Sequence, residues 1–323
     1  MKKIDVICIG AALVDIVAKV ERHPLEDDEV FVSDLYMVSG GAAANTAIAC
    51  STFGLNTAFI GKLGFDDEFG KKILEDFSIN SVNTHFIKFS RKFKTGSAYI
   101  ALNTDADRRI YAHSGAANHL SKEDIIEDEL INSKIIFLSS LRNIKPFIIA
   151  GKIGKKNKIP VFLNPGMLII DQGYNEIKDL LERTDILILS EREYKKLTES
   201  TEIPYRQNQS IEKNRKLWDL GIKIIIITLG KKGALLLSEK QCYLVKPIKV
   251  ECISDTTGAG DAFSAGFIYG FLQNLSLEFN NLIKNVKLGN YAAAKCIQKL
   301  GARKGIPTKN EIEFYIRELN KKV

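Results

Sequence analysis

The sequence predicts an α/β protein built on a doubly wound parallel sheet, with a smaller sheet beside it. Three observations support this prediction. Short runs of Ile, Val and Leu recur along the chain and alternate with helical patterns. Several of these runs are apolar without interruption, which is typical of central strands covered by helices on both faces. Two other regions, 11–39 and 88–116, alternate apolar and polar residues, as half-exposed antiparallel strands do.

Each element follows from its local pattern. The strand candidates of the main sheet are, in chain order, IDVICIG (4–10), TAFIG (57–61), KIIFLSS (134–140), IPVFLN (159–164), DILILS (185–190), KIIIITLG (223–230) and ALLLS (234–238). The helical stretches between them are 44–53, 67–78, 144–156, 174–183 and 191–198. This alternation favours a doubly wound α/β sheet in a single domain over residues 1–323. The strands within 11–39 and 88–116 are expected to pair into a separate small sheet inserted in that domain.

Composition and charge exclude several classes of protein. Of the 323 residues, 26% are charged, and the net charge of +7 is spread along the chain. The sequence has no dense basic block with interleaved aromatic residues, so we expect no nucleic-acid partner. The five cysteines are scattered without a CxxC pair, which indicates reduced thiols and no zinc site. No segment reaches membrane-spanning length, and we predict a cytoplasmic protein without a membrane partner.

The stretch DTTGAGDAF, residues 255–263, is the first candidate for chemistry. It follows a strand-like segment, VECIS (250–254), and opens an apolar helical run. Small residues at a helix N-terminus let backbone N–H groups point into one hollow, and the helix dipole favours an anion there, most often phosphate. The alternative is a plain glycine turn in which Asp261 is the helix N-cap.

Other glycine-rich phosphate motifs do not fit this stretch. The Rossmann fingerprint requires a third glycine where Phe263 stands. The nearest approach to the Walker A motif is GFDDEFGKK (64–72), in which the spacer is one residue too long and Lys72 replaces Ser or Thr. A hollow of amides with a carboxylate at its edge suits phosphoryl transfer instead. The amides stabilise the moving phosphoryl group, and the carboxylate accepts the proton of the attacking hydroxyl.

At this point the chain resembles a known family. DTTGAGDAFSAGF, from residue 255, is similar to the C-terminal signature of the PfkB, or ribokinase-like, kinases, and residues 40–73 resemble their N-terminal signature. Shorter echoes occur in order: GAALVD (10–15), NPG (164–166), SEREY (190–194), TLGKKGA (228–234) and GARKGIPT (301–308). The resemblance implies a Rossmann-like, ribokinase-like α/β fold whose small sheet forms a lid that excludes water, and often a homodimer through that lid. It also implies ATP and Mg²⁺ as cofactors.

The resemblance implies roles for the residues that match the signatures. Asp261 matches the catalytic base, and Gly258, Ala259 and Gly260 match the anion hole. Asp15 matches the carboxylate that binds substrate hydroxyls, with a turn-forming aspartate as the alternative. The substrate-binding turn and the helix after it are matched by Gly40, Gly41 and Asn45.

On the nucleotide side, Glu193 matches the acid of an Asn-x-x-Glu motif that acts on Mg²⁺ through water. Ser190 stands where that motif has Asn, and the alternative for Glu193 is a solvated residue in the first turn of a helix. The remaining matches to nucleotide-binding positions are Asn164, Thr228, Gly230 and Asn290. Asp255 and Thr257 match a monovalent-cation loop, which implies K⁺, and a loop held by ordinary hydrogen bonds is the alternative.

The turn after the glycines bears on the substrate. Ribokinase-like sugar kinases commonly have Gly-Gly-Lys-x-x-Asn there, whereas this chain has Ala42 at the lysine position. GGAAANTA and HSGAANHL (113–120) resemble the archaeal nucleoside kinases of the family. We therefore expect phosphorylation of a nucleoside 5′-hydroxyl. Tyr99, Tyr111 and His113 are candidates to contact the nucleobase, and packing within the lid is the alternative for all three. Three alternatives stay open: a kinase of ribose, fructose or a keto-deoxy sugar acid, a silent nucleotide-binding protein, and an oxidoreductase using a dinucleotide.

Overall fold

The structure, a computed structural model, describes residues 3–105 and 107–321. Its strands are β1 (Ile4–Gly10), β2 (Leu13–Val20), β3 (Val32–Gly40), β4 (Thr57–Ile60), β5 (Lys62–Gly64), β6 (Lys88–Ser90), β7 (Gly96–Leu102), β8 (Arg108–His113), β9 (Ser133–Ser139), β10 (Val161–Asn164), β11 (Ile186–Ser190), β12 (Ile224–Thr228), β13 (Ala234–Leu237) and β14 (Cys242–Val245). Its helices are α1 (Ala42–Thr52), α2 (Glu68–Ile79), α3 (Glu127–Leu130), α4 (Lys145–Lys156), α5 (Gly166–Ile170), α6 (Tyr174–Leu181), α7 (Glu191–Thr198), α8 (Gln207–Lys213), α9 (Arg215–Asp219), α10 (Ala259–Leu272), α11 (Phe279–Cys296) and α12 (Lys309–Lys321).

The main sheet confirms the predicted doubly wound architecture. Its strand order is β14-β13-β12-β11-β10-β9-β1-β4, parallel from β12 to β4, with β13 and β14 antiparallel at one edge. The chain reaches β4 on one side of β1 and returns to β9 on the other side. A change of direction of this kind creates a crevice at the carboxyl ends of the strands, which is where open α/β sheets bind ligands.

Two apolar cores cover the two faces of the main sheet. Val6 and Cys8 of β1 pack into the core that contains α1 and α10, whereas Ile7 and Ile9 pack into the core on the opposite face. All four side chains are fully buried. Because both faces are covered, the strands need apolar residues at every position, and this explains the uninterrupted apolar runs.

Helices α10 and α11 pack unusually close to each other. A Cβ atom on Gly266 of α10 would lie 2.6 Å from the backbone oxygen of Leu288 and 3.0 Å from the Cα of Gly289. Glycine is therefore required at position 266 for the helices to approach this closely. This contact fixes α10, and with it the helix N-terminus that carries the DTTGAGDAF stretch.

The small sheet has the strand order β3-β2-β7-β8 and so combines strands from both regions that the sequence predicted for it. Its pairing corrects one expectation. The outer pairs are antiparallel, but the central pair, β2 with β7, is parallel. Residues 88–90, which were predicted for this sheet, are not part of it. They form β6 and pair with β5 in a separate two-stranded sheet.

The register of the small sheet gives it two different faces. Asp15 is paired with Val38 and with Ala98, so these three side chains share one face. Met37 and Tyr99 are partners of the next residue along β2 and lie on the other face, where both are 53% exposed. A dimer through this sheet stays a prediction, which sedimentation velocity would check.

The predicted strand at 250–254 does not form. This segment is irregular and largely exposed, and the backbone N–H groups of Ser254 and Asp255 both donate to the oxygen of Ile297 at the end of α11. Among the described residues, no helix is both long enough and apolar enough to cross a membrane.

Candidate active site

The carboxyl ends of the central strands bring several predicted residues to one edge of the main sheet. Gly10 ends β1 and is paired with Ser139, which in turn is paired with Asn164 at the end of β10. Ser190 and Thr228 end β11 and β12 and are paired with each other. Residues that are far apart in sequence therefore meet at the edge where α/β sheets bind ligands.

The N-terminus of α10 lies open at this edge. Gly258 is its N-cap with a φ of 77°, and no side chain caps the helix. A Cβ on Gly258 would also lie 2.6 Å from the Cα of Ala302, so the turn requires glycine both for its backbone conformation and for space. Asp261 is the third residue of the helix, and the N-cap alternative for it is wrong. The N–H of Ala259 donates to the backbone oxygen of Thr256 at 3.2 Å. The amides of this turn that are suited to bind an anion are therefore chiefly those of Gly258 and Gly260.

Asp261 is a half-buried carboxylate with one neutral and one cationic neighbour. Its Oδ2 accepts a hydrogen bond of 2.8 Å from Nδ2 of Asn45, on α1. Burial raises the pKa of Asp261 to about 7, although the Asn45 hydrogen bond and the positive charge of Arg303 both act to lower it. A carboxyl group with this pKa exchanges protons near neutral pH, as a general base must.

Arg303 is a site residue that sequence reasoning missed. Its Nε donates to Oδ1 of Asn45 at 2.9 Å, and its Nη1 lies 3.5 Å from Oδ2 of Asp76 on α2. Burial lowers the pKa of Arg303 to about 10, while the nearby carboxylates of Asp76, Asp261 and Asp15 act to raise it, so the guanidinium stays charged at neutral pH. Arg303 lies in the GARKGIPT segment (301–308), which resembles the kinase family. No local sequence pattern, however, indicates a contact between this segment and Asn45.

Asp15 lies beside the glycine turn that the sequence predicted for substrate binding. Burial raises the pKa of Asp15, and the charge of Arg303 opposes that shift. A Cβ on Gly40 would lie 2.7 Å from Oδ2 of Asp15, so the close approach depends on a glycine. Gly41 is the N-cap of α1, and Asn45 follows one turn later. The structure therefore brings all the predicted substrate-binding residues together, close to Asp261 through Asn45 and Arg303.

Two of the predicted nucleotide-side residues contact neighbouring elements of this edge. Nδ2 of Asn164 donates to Oγ of Ser264 at 3.2 Å, which ties the end of β10 to the first turns of α10. Oγ1 of Thr228 donates to the backbone oxygen of Leu189 at 3.3 Å. Gly230 begins a short 3₁₀ turn just after β12, with a φ of 56°. These positions form the rim of the crevice on the side away from Asp15.

Ser190 and Glu193 form a capping box at the start of α7. The Ser190 Oγ accepts from the Glu193 N–H at 3.3 Å, and the Glu193 Oε2 accepts from the Ser190 N–H at 2.8 Å. This local role accounts for both residues as helix formers. Oε1 of Glu193 takes no part in the capping box, and α7 begins directly after Ser190 at the carboxyl end of β11.

The remaining predicted residues, Asn290, Asp255 and Thr257, stabilise loops through hydrogen bonds. Nδ2 of Asn290 donates to the backbone oxygen of Lys246 at 2.9 Å and so fixes the chain after β14. Asp255 accepts from the backbone N–H and the hydroxyl of Thr257 through Oδ1 and from the N–H of Gly301 through Oδ2. Ordinary hydrogen bonds thus close the loop that the resemblance assigned to a monovalent cation.

The aromatic residues expected to contact a nucleobase lie on the face of the small sheet opposite to Asp15. Tyr99 is paired with Tyr111, and His113 with Ser97, two residues before Tyr99. These side chains therefore share the face opposite Asp15, because successive residues of a strand point to opposite sides. The prediction that they line the substrate site is wrong.

Comparisons with known proteins agree with this architecture. A family model described as pfkB family carbohydrate kinase matches residues 3–309. A ribokinase from Staphylococcus aureus (strain COL) is 32% identical over 311 residues, which is 95% of this chain and 98% of the relative. The structure of Arabidopsis thaliana ribokinase complexed with ribose and ATP is similar with a TM-score of 0.85 and 27% identity, covering 97% of this chain and 99% of that one.

A more distant structural relative has a different substrate class in its name. The Methanocaldococcus jannaschii nucleoside kinase has a TM-score of 0.77 and 22% identity, covering 98% of this chain and 99% of that chain, which supports the fold alone. The pfkB family consists of phosphotransferases that act on hydroxyl groups. With a family model that spans nearly the whole chain and a ribokinase relative of matching length, this chain belongs to the pfkB family of carbohydrate kinases.

Proposed function

We propose that this kinase transfers the γ-phosphoryl group of ATP to a primary hydroxyl of a small molecule, with Asp261 as the general base. The observation that carries the proposal is the position of Asp261. It is half-buried, its pKa is about 7, and it lies in the first turn of a helix whose N-terminus no side chain caps. ATP as the donor is supported by the Arabidopsis ribokinase relative, whose structure holds ribose and ATP.

The proposed reaction is an in-line displacement at the γ-phosphorus. Asp15 accepts hydrogen bonds from substrate hydroxyls and orients the acceptor. Oδ1 of Asp261 takes the proton, since Oδ2 accepts from Asn45. The substrate oxygen then bonds to the γ-phosphorus as the bond to the bridging oxygen of ADP breaks. The amides of Gly258 and Gly260 stabilise the charge on the transferring group, and the amide of Ala259 joins them when its hydrogen bond to the Thr256 oxygen opens.

We propose that two cations assist this reaction. Mg²⁺ neutralises phosphate charge when it is bound with ATP, and Oε1 of Glu193 is the protein group that would hold its water shell. Among the described residues no three His, Cys, Asp or Glu side chains cluster around a metal position, which suits an ion held by phosphates and water rather than by a protein cage. K⁺ would be bound at the loop of Asp255 and Thr257, where Oδ1 of Asp255 and Oγ1 of Thr257 lie 2.7 Å apart and are oxygen ligands of the hard kind.

A nucleoside is the substrate class that we propose, with phosphorylation of its 5′-hydroxyl. Ala42, the first residue of α1, leaves an apolar position beside the substrate turn where a lysine would offer a donor. The sheet face that carries Asp15 also carries Val38 and Ala98, and Val38 remains 40% exposed. A planar base binds to apolar surface of this kind. The second candidate is a free sugar, which the ribokinase relatives favour.

The first prediction concerns the base. Asp261→Asn keeps an oxygen that accepts from Asn45 but removes the proton acceptor. We expect turnover, measured as ADP formation, to fall about 10²-fold or more, with ATP affinity by calorimetry little changed. Thermal unfolding at pH 8 is the control, since a neutral side chain in this half-buried position should not reduce stability. Turnover within a few-fold of the parent would contradict the assignment.

The pH profile provides an independent prediction. The base acts in its deprotonated form, and burial has raised its pKa from 3.8 to about 7. The kcat/KM value should therefore rise with pH up to about 7 and level off above it, with a decline of about tenfold per pH unit well below the pKa. The residual activity of Asp261→Asn should lack this limb. A flat profile between pH 5.5 and 8.5 would be incompatible with Asp261 as the titrating base.

The proposed cations can be removed and replaced. Excess EDTA should abolish phosphoryl transfer, and added Mg²⁺ should restore it. At constant ionic strength, replacing a tetraalkylammonium salt by K⁺ should raise turnover if the loop of Asp255 and Thr257 binds the ion. An identical rate in the two salts would remove K⁺ from the proposal and leave the rest of it intact.

The substrate class is decided by direct competition. We expect kcat/KM for at least one of inosine, guanosine, adenosine and cytidine to exceed the values for ribose and fructose. Substitution of Val38 by Ser, on the face of Asp15, should reduce the preference, whereas Met37→Ser on the opposite face is the matched control. A sugar that exceeds every nucleoside by about tenfold, or about 1.4 kcal/mol of transition-state binding, would establish the sugar kinase instead.

A further inference from the structure

We propose that Arg303 is a positioning residue, which fixes the side-chain amide of Asn45 so that this amide holds the carboxylate of Asp261 in place for the substrate hydroxyl. The inference rests on the proposed function in one respect, namely that Asp261 is the base. It assigns a role to a residue of the C-terminal loop that lies 258 positions from Asn45 in the sequence.

The amide of Asn45 has two different ends, and each has one partner. Its Oδ1 accepts from Nε of Arg303 at 2.9 Å, and its Nδ2 donates to Oδ2 of Asp261 at 2.8 Å. An amide rotated by half a turn would present its oxygen to a carboxylate and its NH₂ group to a guanidinium, and both contacts would be repulsive. Arg303 therefore determines which end of Asn45 meets Asp261, and that contact occupies one of the two carboxylate oxygens.

The guanidinium is anchored on a second helix. Its Nη1 faces Oδ2 of Asp76, whose Oδ1 also accepts from Nζ of Lys72 at 2.7 Å. The same Asp76 carboxylate accepts from the hydroxyl of Ser39, which is buried near the end of β3 and directly precedes Gly40. A continuous set of polar contacts thus runs from the base of the small sheet to Asp261.

A stabilising ion pair does not account for Arg303. Buried guanidinium groups that stabilise a fold usually pair with a carboxylate through two parallel hydrogen bonds. Arg303 instead approaches Asp76 at only 3.5 Å, uses its one short hydrogen bond on a neutral amide, and keeps Nη2 buried with no hydrogen-bond partner among the described residues. The ion pair with Asp76 is therefore weaker than an ideal one, and the short hydrogen bond of Arg303 orients Asn45 instead.

The test compares Arg303→Gln with a matched control. Arg183 is equally buried, with its side chain 20% exposed against 19% for Arg303, and pairs with Asp179 on α6. It precedes the amino end of β11, whereas the site residues gather at the carboxyl ends of the strands. We expect Arg303→Gln to lower kcat about 10- to 100-fold with a smaller effect on KM, since misplacement of a reacting group acts on the transition state. Arg183→Gln should leave kcat within about twofold.

Two further variants test the route through Asn45. Arg303→Lys keeps the charge and one donor and should recover part of kcat, which also covers the case in which Arg303→Gln does not fold. If Arg303 acts through Asn45, the double variant Asn45→Ala, Arg303→Gln should be no slower than Asn45→Ala alone. Additive losses in the double variant would overturn the proposed route.

A readout without turnover separates this inference from the proposed function. The side-chain amide signals of Asn45 in a ¹⁵N–¹H NMR spectrum can be identified by their loss in Asn45→Ala. In the parent these protons should exchange slowly with solvent, and in Arg303→Gln faster by about tenfold or more, with Arg183→Gln unchanged. Unaltered exchange in Arg303→Gln would overturn the positioning role. If exchange responds as expected while no hydroxyl compound is phosphorylated, the positioning of Asn45 stands and the proposed function fails.

Discussion

The carboxylate of Asp261 is held partly out of water at the first turn of α10, and the arrangement of the rest of the site depends on this one group. Desolvation makes the charged form unfavourable and raises the pKa to about 7. The Asn45 hydrogen bond and the charge of Arg303 oppose that effect, and without them the pKa of Asp261 would be higher still. The balance between burial and these two contacts is what makes the group usable as a base.

The same balance creates a charge problem for a site that binds ATP. Three carboxylates, those of Asp15, Asp76 and Asp261, surround the guanidinium of Arg303, and Lys72, which pairs with Asp76, is the second cation beside them. A polyphosphate would meet net negative charge there. The open N-terminus of α10 offers neutral donors and a positive dipole end, so it can bind phosphate without a further cationic side chain that would depress the pKa of Asp261. A metal ion bound with the nucleotide would add the remaining positive charge.

The fold could be predicted from the sequence because its signals are local, whereas most candidate site residues were predicted only through the resemblance to the kinase signatures. Uninterrupted apolar runs identified the buried strands, and the small residues of DTTGAGDAF identified the helix N-terminus. The failures concern relations between distant segments. Periodicity did not reveal that β2 and β7 run parallel, nor that residues 250–254 pair with the end of α11. Arg303 was missed because its contact with Asn45 exists only after the C-terminal loop packs onto α1.

The error over Tyr99 shows why register matters more than residue type in the small sheet. An aromatic residue near a presumed site is readily assigned as a contact for a nucleobase. A shift of one position along a strand, however, moves a side chain to the opposite face. In this sheet the shift separates two tasks. The face of Asp15 is the one to which the proposed function assigns the substrate, and the face of Tyr99 and Met37 leaves apolar surface exposed. Substitutions on the exposed face can therefore change that surface without changing the side chains on the face of Asp15.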